Sequence, residues 1–259
     1  MKTSNKLILG FILGFFGLAI AVHLVLYSEY RKGHFVTAQQ MHEEDYIKQP
    51  IPASRVIFID GAIWVNLAPA REFALDLPRK NEDPDAHMFI KNAASPQAIT
   101  WRQQGDTLFI TGNITASVHR PFSDGHYRAN LPQVTVYGPA FDDVVLNHGQ
   151  VYLQGAGDST MGLSARLLVL NSTVWVGMQY ELYRPAPREY FDSINIRSFN
   201  SIVVLNAHST VENPLIHLHD HSELKDQSAR LTHPTIYCTP ESHVDLSGDN
   251  LKKTQVITQ

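Results

Sequence analysis

The sequence predicts an all-β protein wound as a parallel solenoid behind one N-terminal transmembrane helix. Three observations carry this expectation. First, a unit of alternating apolar residues around a small polar turn recurs in LNHGQVYL (146–153), LNSTVWVG (170–177), FNSIVVL (199–205), DHSELK (220–225) and ESHVDL (241–246). Aligning Val151, Val174, Ile202, Leu224 and Val244 gives steps of 23, 28, 22 and 20 residues. That is the length of one coil that buries its apolar face against the next. Second, almost no window after residue 55 sustains a 3.6-residue apolar period, so long helices are not expected there. Third, residues 7–27 form an apolar run without Lys, Arg, Asp or Glu.

That run, LILGFILGFFGLAIAVHLVLY, spans roughly 31 Å as a helix and matches the hydrocarbon core of a bilayer. Lys2 and Lys6 precede it, and Arg31 and Lys32 follow. Tyr27 and Tyr30 suit the interfacial aromatic belt. Ala19-Ile20-Ala21 has the form of a signal-peptidase site, so a cleaved signal is the alternative. The run continues through Val22, Leu24, Val25 and Leu26, longer than a signal core, which favours an uncleaved anchor. A short tail carrying Lys2 and Lys6 stays most easily in the cytoplasm. The expected localisation is therefore the inner (cytoplasmic) membrane, single-pass, with the large domain periplasmic or extracellular. Gly10, Gly14, Gly17 and Ala21 form one stripe of small residues on this helix, the geometry of a homodimer seam.

Composition sets further bounds. Of 259 residues, 44% are apolar and 18% charged, with a net charge of −4. The chain is not of the disordered class. No Lys/Arg-rich stretch points to nucleic acid. Cys238 is the single cysteine, which excludes an internal disulfide and an N-terminal lipid anchor; flanked by Ile236 and Tyr237 it reads as a small buried hydrophobe.

The expected organisation is a tail at 1–6, an anchor at 7–27, a linker at 28–54, one β domain at 55–250 and a C-terminal tail at 251–259. Within the linker, Thr37 to Tyr46 suits a short helix, and Pro50 and Pro52 end it. Val56-Ile57-Phe58-Ile59 runs into the Asp60-Gly61 turn, and Ile63, Val65 and Leu67 alternate with Trp64 and Asn66. Ile99-Thr100-Trp101, Gly105-Asp106 and Thr107-Leu108-Phe109-Ile110 form a hairpin signal. Residues 112–130 read as a long loop, and serial units follow from Val134 and Val136.

Histidine is the one residue type that clusters. In IHLHDH, His217, His219 and His221 alternate with Leu218 and Asp220, and a strand would place three imidazoles on one face. His208, His233 or His243 from other coils would extend the set. Imidazoles so placed are candidate ligands for zinc, nickel or copper, although i, i+2 is not a usual zinc spacing. The alternative is a solvated outer face, and no cofactor is expected. Asp142-Asp143 resembles a glycosidase carboxylate pair only in composition; its place between Phe141 and Val144 suits a turn before a strand. The repeated Leu146-Asn147 and Leu170-Asn171 suggest stacked asparagines between coils, while Leu205-Asn206 breaks the rhythm.

Four stretches occur in order: RVIFIDGAIWVNL, ITWRQQGDTLFITG, LPQVTVYGPAFDDVVLNHGQVYLQG, and strand–turn–strand units to the C-terminus. Over about 55–248 this order resembles the bacterial DUF2807 family, the GIN domain or "putative auto-transporter adhesin head". The resemblance implies a right-handed single-stranded β-helix on a bacterial envelope. Long insertions at 112–130 and 181–190, and the anchor, depart from that pattern. The function expected is a membrane-anchored, non-enzymatic envelope protein that presents a β-helical surface for adhesion, binding or assembly to a protein or polysaccharide. The rivals are a polysaccharide-active enzyme and a bactofilin-like scaffold that self-assembles.

Overall fold

The structure is a computed structural model; it describes residues 11, 14–18, 20–24, 27, 46–52, 54–69, 86–91, 99–113, 133–138, 141–157, 159–177 and 188–259. Two compact units divide the chain, Met1–Asp45 and Tyr46–Gln259. In the first, every described residue is helical, and Phe11, Phe15, Phe16, Leu18, Ile20, Val22 and Leu24 are exposed. Among the described residues no helix is long and apolar enough to cross a membrane. Much of the expected 7–27 span, the helix expected from Thr37 and most of the loops at 112–130 and 181–190 lie outside the described residues.

The second unit is all-β, with a nine-stranded and a ten-stranded sheet. The chain changes sheet at each step. It runs from β8 (Asp143–Asn147) to β9 (Gln150–Leu153), β10 (Leu163–Leu170), β11 (Thr173–Val176), β12 (Glu189–Phe199), β13 (Ile202–Leu205), β14 (Ser209–His219) and β15 (Glu223–Asp226). Then β16 (Arg230–Leu231) and β17 (Thr235–Cys238) both pair with β14 in the ten-stranded sheet, β18 (His243–Asp245) returns to the nine-stranded one, and β19 (Gln255–Thr258) ends the chain in the ten-stranded sheet. Each of these strands pairs in parallel with the same-sheet strand one circuit away. Parallel pairing with one side buried makes inward residues stack in columns.

In the nine-stranded sheet one column reads Val134, Val65, Val151, Val174, Val203, Leu224, Val244. Val203 stands where the sequence suggested Ile202. Ile202 points outward, between Thr173 and Glu223. The stacking also departs from chain order. β7 (Gln133–Gly138) pairs with β3 (Trp64–Pro69), and β6 (Thr107–Gly112) with β2 (Val56–Asp60), while β8 and β9 pair with the other sides of β2 and β3. The circuit holding Val134 therefore lies beneath the first one, not after it.

Antiparallel strands close that end. β1 (Tyr46–Pro50) pairs with β4 (His87–Lys91), and β5 (Ile99–Gln104) with β6 around Gly105 at φ +63, as the hairpin signal predicts. Tyr46–Pro50 thus belongs to the folded unit, nine residues before the expected boundary of 55. At the other end the short helix Gly248–Lys253 and β19 occupy most of the expected tail. Gly61, at φ +89, packs so closely that a Cβ would overlap the Gly112 carbonyl oxygen; the turn after β2 needs glycine.

Asparagine stacking follows a different register from the expected one. Leu170, not Asn171, is the partner of Asn147, whose Nδ2 donates to Asp60 Oδ1 at 2.8 Å. Asn171 Oδ1 instead accepts from Asn200 Nδ2 at 2.9 Å. Both Asn171 and Asn200 have positive φ and mark equivalent corners.

A second column, Val136, Leu67, Leu153, Val176, Leu205, ends on buried Asp226. Its carboxylate accepts from Ala229 N (2.9 Å), Ser247 N (3.0 Å) and Asn250 Nδ2 (2.7 Å). Asn250 also donates to Ala229 O at 2.6 Å, so one buried amide ties the Gly248–Lys253 helix to the circuit below.

Two stability outcomes follow. Val174→Asp, which buries an unpaired carboxylate, should cost more than about 4 kcal/mol in denaturant unfolding, whereas Ile202→Lys, on the outer face beside Glu223, should cost less than about 1 kcal/mol; equal losses would refute the register. Asn250→Ala should cost about 2–3 kcal/mol by leaving Asp226 under-bonded, read as a shift in the same unfolding midpoint.

Candidate functional site

Outward residues of the ten-stranded sheet form lateral rows because the strands are in register. On β14, Ile216 and Leu218 are buried and His217 and His219 alternate with them on the outer side. The strand ends at His219. Asp220 takes φ +56, and His221 lies exposed in the turn. The expected face of three imidazoles therefore holds two, because the left-handed residue rotates the chain out of the strand before His221. His208 lies in the turn before β14, His233 is exposed beyond β16, and His243 is on β18 of the other sheet.

Arg197 and Tyr237 are the register partners of His217, and Phe199 is the partner of His219. The rings stack. His217 and Tyr237 lie 4.7 Å apart at 10°, and Phe199 and His219 4.6 Å apart at 12°. Along the strand, His217 and His219 are 6.4 Å apart at 9°. Among the described residues no three His, Cys, Asp or Glu are placed to hold a metal ion. Burial in this stack lowers the pKa of His217 from its ordinary value, and the Arg197 charge and then His219 lower it further.

Asp142 and Asp143 do not face one another as a working pair. Asp142 is ion-paired with Arg55, and Asp143 accepts from Arg166 Nη2 at 2.6 Å. Both backbone amides donate to the Arg55 carbonyl, so the dipeptide locks adjacent strands. Cys238 is buried next to Leu218 in the inward column, as its neighbours suggested.

The other sheet carries an aromatic stack that the sequence reading passed over. Tyr152 lies 4.6 Å from Trp175 at 4°, and Trp64 lies 4.7 Å from Tyr152 at 21°. Trp64 Nε1 donates to Asn66 Oδ1 at 2.9 Å. Tyr152 is only 4% exposed. The signal was present: Tyr152 and Trp175 each follow the inward valine of their repeat. These parallel rings occupy one another's faces, so they tie circuits together and form no cage for a cation.

No family model and no curated protein match the chain. Solved structures do. It is similar to a "putative adhesin" of Bacteroides fragilis, at 8% identity over 82% of this chain and 94% of that one, TM-score 0.38. It is also similar to a "putative adhesin" of Parabacteroides merdae (9%, 82% and 92%, TM-score 0.37) and a "Putative lipid binding protein" of Parabacteroides distasonis (7%, 82% and 93%, TM-score 0.38).

The lowered His217 pKa gives a pH dependence of stability. The unfolded chain takes up this proton near its ordinary value, about 6.5, and the folded chain only at lower pH. Its contribution is thus present above about pH 6.5 and is lost as pH falls through the folded value. His217→Phe keeps a ring against Tyr237 and should flatten that acid-side loss. Unfolding midpoints collected from about pH 8 to pH 5 should show parent and variant diverging only on the acid side.

Proposed function

We infer that this chain is a single-pass, non-enzymatic envelope protein. Residues 7–27 anchor it in the inner membrane, and its Tyr46–Gln259 domain, a right-handed single-stranded parallel β-helix, faces the periplasm or the exterior as a binding surface. The observation that carries the reading is the apolar run at 7–27. Its described helical residues expose Phe11 (76%), Phe15, Phe16, Leu18 and Leu24. Apolar surface left in water costs roughly 25 cal/mol per Å², and a bilayer removes that cost.

The domain's own geometry supports a binding role. Its outward residues stand in in-register rows, and Asp142 and Asp143 are each held by an arginine. Self-assembly through stacked ends finds less support, because β1, β4 and β5 pair antiparallel at one end and interrupt the parallel ladder that a second copy would continue. A homodimer through the Gly10, Gly14, Gly17 and Ala21 stripe remains part of the proposal; a Cβ at Gly14 or Gly17 would meet nothing within 4 Å in the monomer.

The protein should sediment with membranes after high-salt and alkaline carbonate washes and retain its first 27 residues. An N-terminus at Val22 in the mature protein, or release by carbonate, would refute the anchor.

A further inference from the structure

The outer face of β12, β14 and β17 carries, among rings that stack between circuits, one charge that no structural contact uses. Arg197 is exposed and has no ion-pair partner among the described residues. The outward positions beside it on the last five residues of β12 and β14, and on β17, hold no carboxylate. On β10 the outward arginine, Arg166, is neutralised by Asp143. Asp192 and Glu212 stand at the starts of β12 and β14, and Asp220 and Glu241 in the turns beyond the strands. One uncompensated cation therefore sits within an aromatic row.

The rings there cover one another in pairs. Phe199 and His219 cover each other, as do His217 and Tyr237. The remaining face of Tyr237 is directed along the row toward Ile257, and that of Phe199 toward Leu170. What remains for a ligand is a set of imidazole nitrogens, a phenol hydroxyl and a guanidinium, spaced by the roughly 4.8 Å between adjacent strands. One face of each apolar ring is taken up by a histidine, which leaves less apolar surface than a lipid tail or a buried protein anchor would need. A ligand rich in hydroxyls, with one carboxylate per repeat and an extended chain, matches the spacing, the polarity and the charge.

We propose that this face binds an acidic polysaccharide, with Arg197 holding a sugar carboxylate and His217, His219 and Tyr237 receiving the hydroxyls of neighbouring sugars. The proposal rests on the reading of the domain as a binding surface, and it names the ligand class and the face.

The test uses the full-length protein in detergent micelles and isothermal titration with polygalacturonate. Neutral dextran, free galacturonate and vesicles of anionic phospholipid serve as comparisons. Saturable binding to polygalacturonate but not dextran is expected, weakened at least tenfold by Arg197→Gln and partly restored by Arg197→Lys. Lys225→Gln, on the other sheet, should leave it unchanged. Absence of polygalacturonate binding, equal binding by Arg197→Gln, or preference for the vesicles or the free sugar would each overturn the proposal. Carbonate-resistant association with membranes of the same cells, measured before detergent is added, would show that the anchored reading survives that failure. Shortening of the polymer during titration would instead refute the non-enzymatic reading.

Discussion

At three successive corners from the ten-stranded to the nine-stranded sheet, a backbone N–H turns out of the strand ladder and a serine hydroxyl of the next circuit receives it. Gly149 N donates to Ser172 Oγ at 3.1 Å, Ser172 N to Ser201 Oγ at 3.0 Å, and Ser201 N to Ser222 Oγ at 3.3 Å. The hydroxyls in turn donate to carbonyls two residues back, Ser172 to Leu170 and Ser201 to Phe199. These groups are buried, and an unmet donor there costs about 1–3 kcal/mol. A slip of one residue between circuits would break the chain of bonds and invert every side chain. The serine row therefore fixes the register, and the register creates both the apolar columns inside and the aromatic rows outside.

That dependence explains the polar residues inside the core. Ser198 stands in an inward column between Val169 and Leu218, where a larger apolar side chain would be the default. Its hydroxyl lies 3.1 Å from Ser222 Oγ, so it supports the corner serine from within the sheet. Asp226 ends the other column for a comparable reason. At this level β18 contributes only His243–Asp245, and the Leu205 column meets the Gly248–Lys253 helix. The N–H of Ser247 at its N-cap, the N–H of Ala229 and the Asn250 amide need acceptors that an aliphatic side chain would not provide.

Legibility in the sequence tracks these constraints. Period-two alternation made the all-β class readable, because inward positions such as Val151 and Val174 must be apolar whatever their neighbours. The misplacement of Ile202 has a physical origin. Ile202 is apolar, but the residue that sets the phase is the left-handed corner at Asn200, equivalent to Asn171 and His148. Counting three residues from these three corners gives Val151, Val174 and Val203 without reference to hydrophobicity, and at Asp220, where the turn is one residue longer, four residues give Leu224. The same corner, at Asp220, removed His221 from the histidine face. Positive φ in non-glycine residues leaves only a weak trace in sequence, since Asn, His and Asp all occupy it here.

The order of stacking was not legible at all, and energetics shows why. The inward residues of β7, Val134 and Val136, would complete a column equally well beside Val65 and Leu67 or beside Val151 and Leu153. Apolar columns carry little identity of their own. Polar and aromatic contacts on the outer side discriminate instead. Asn66 Nδ2 reaches Thr135 Oγ1 at 3.3 Å only if β7 lies beside β3, and Tyr152 stacks on Trp64 and Trp175 only if β9 lies between β3 and β11. The buried face thus supplies most of the free energy of stacking, while the outward residues select which circuit lies next to which. Surface rows are consequently part of the folding specification, and an outward charge that no inter-circuit contact uses, as at Arg197, stands out against that background.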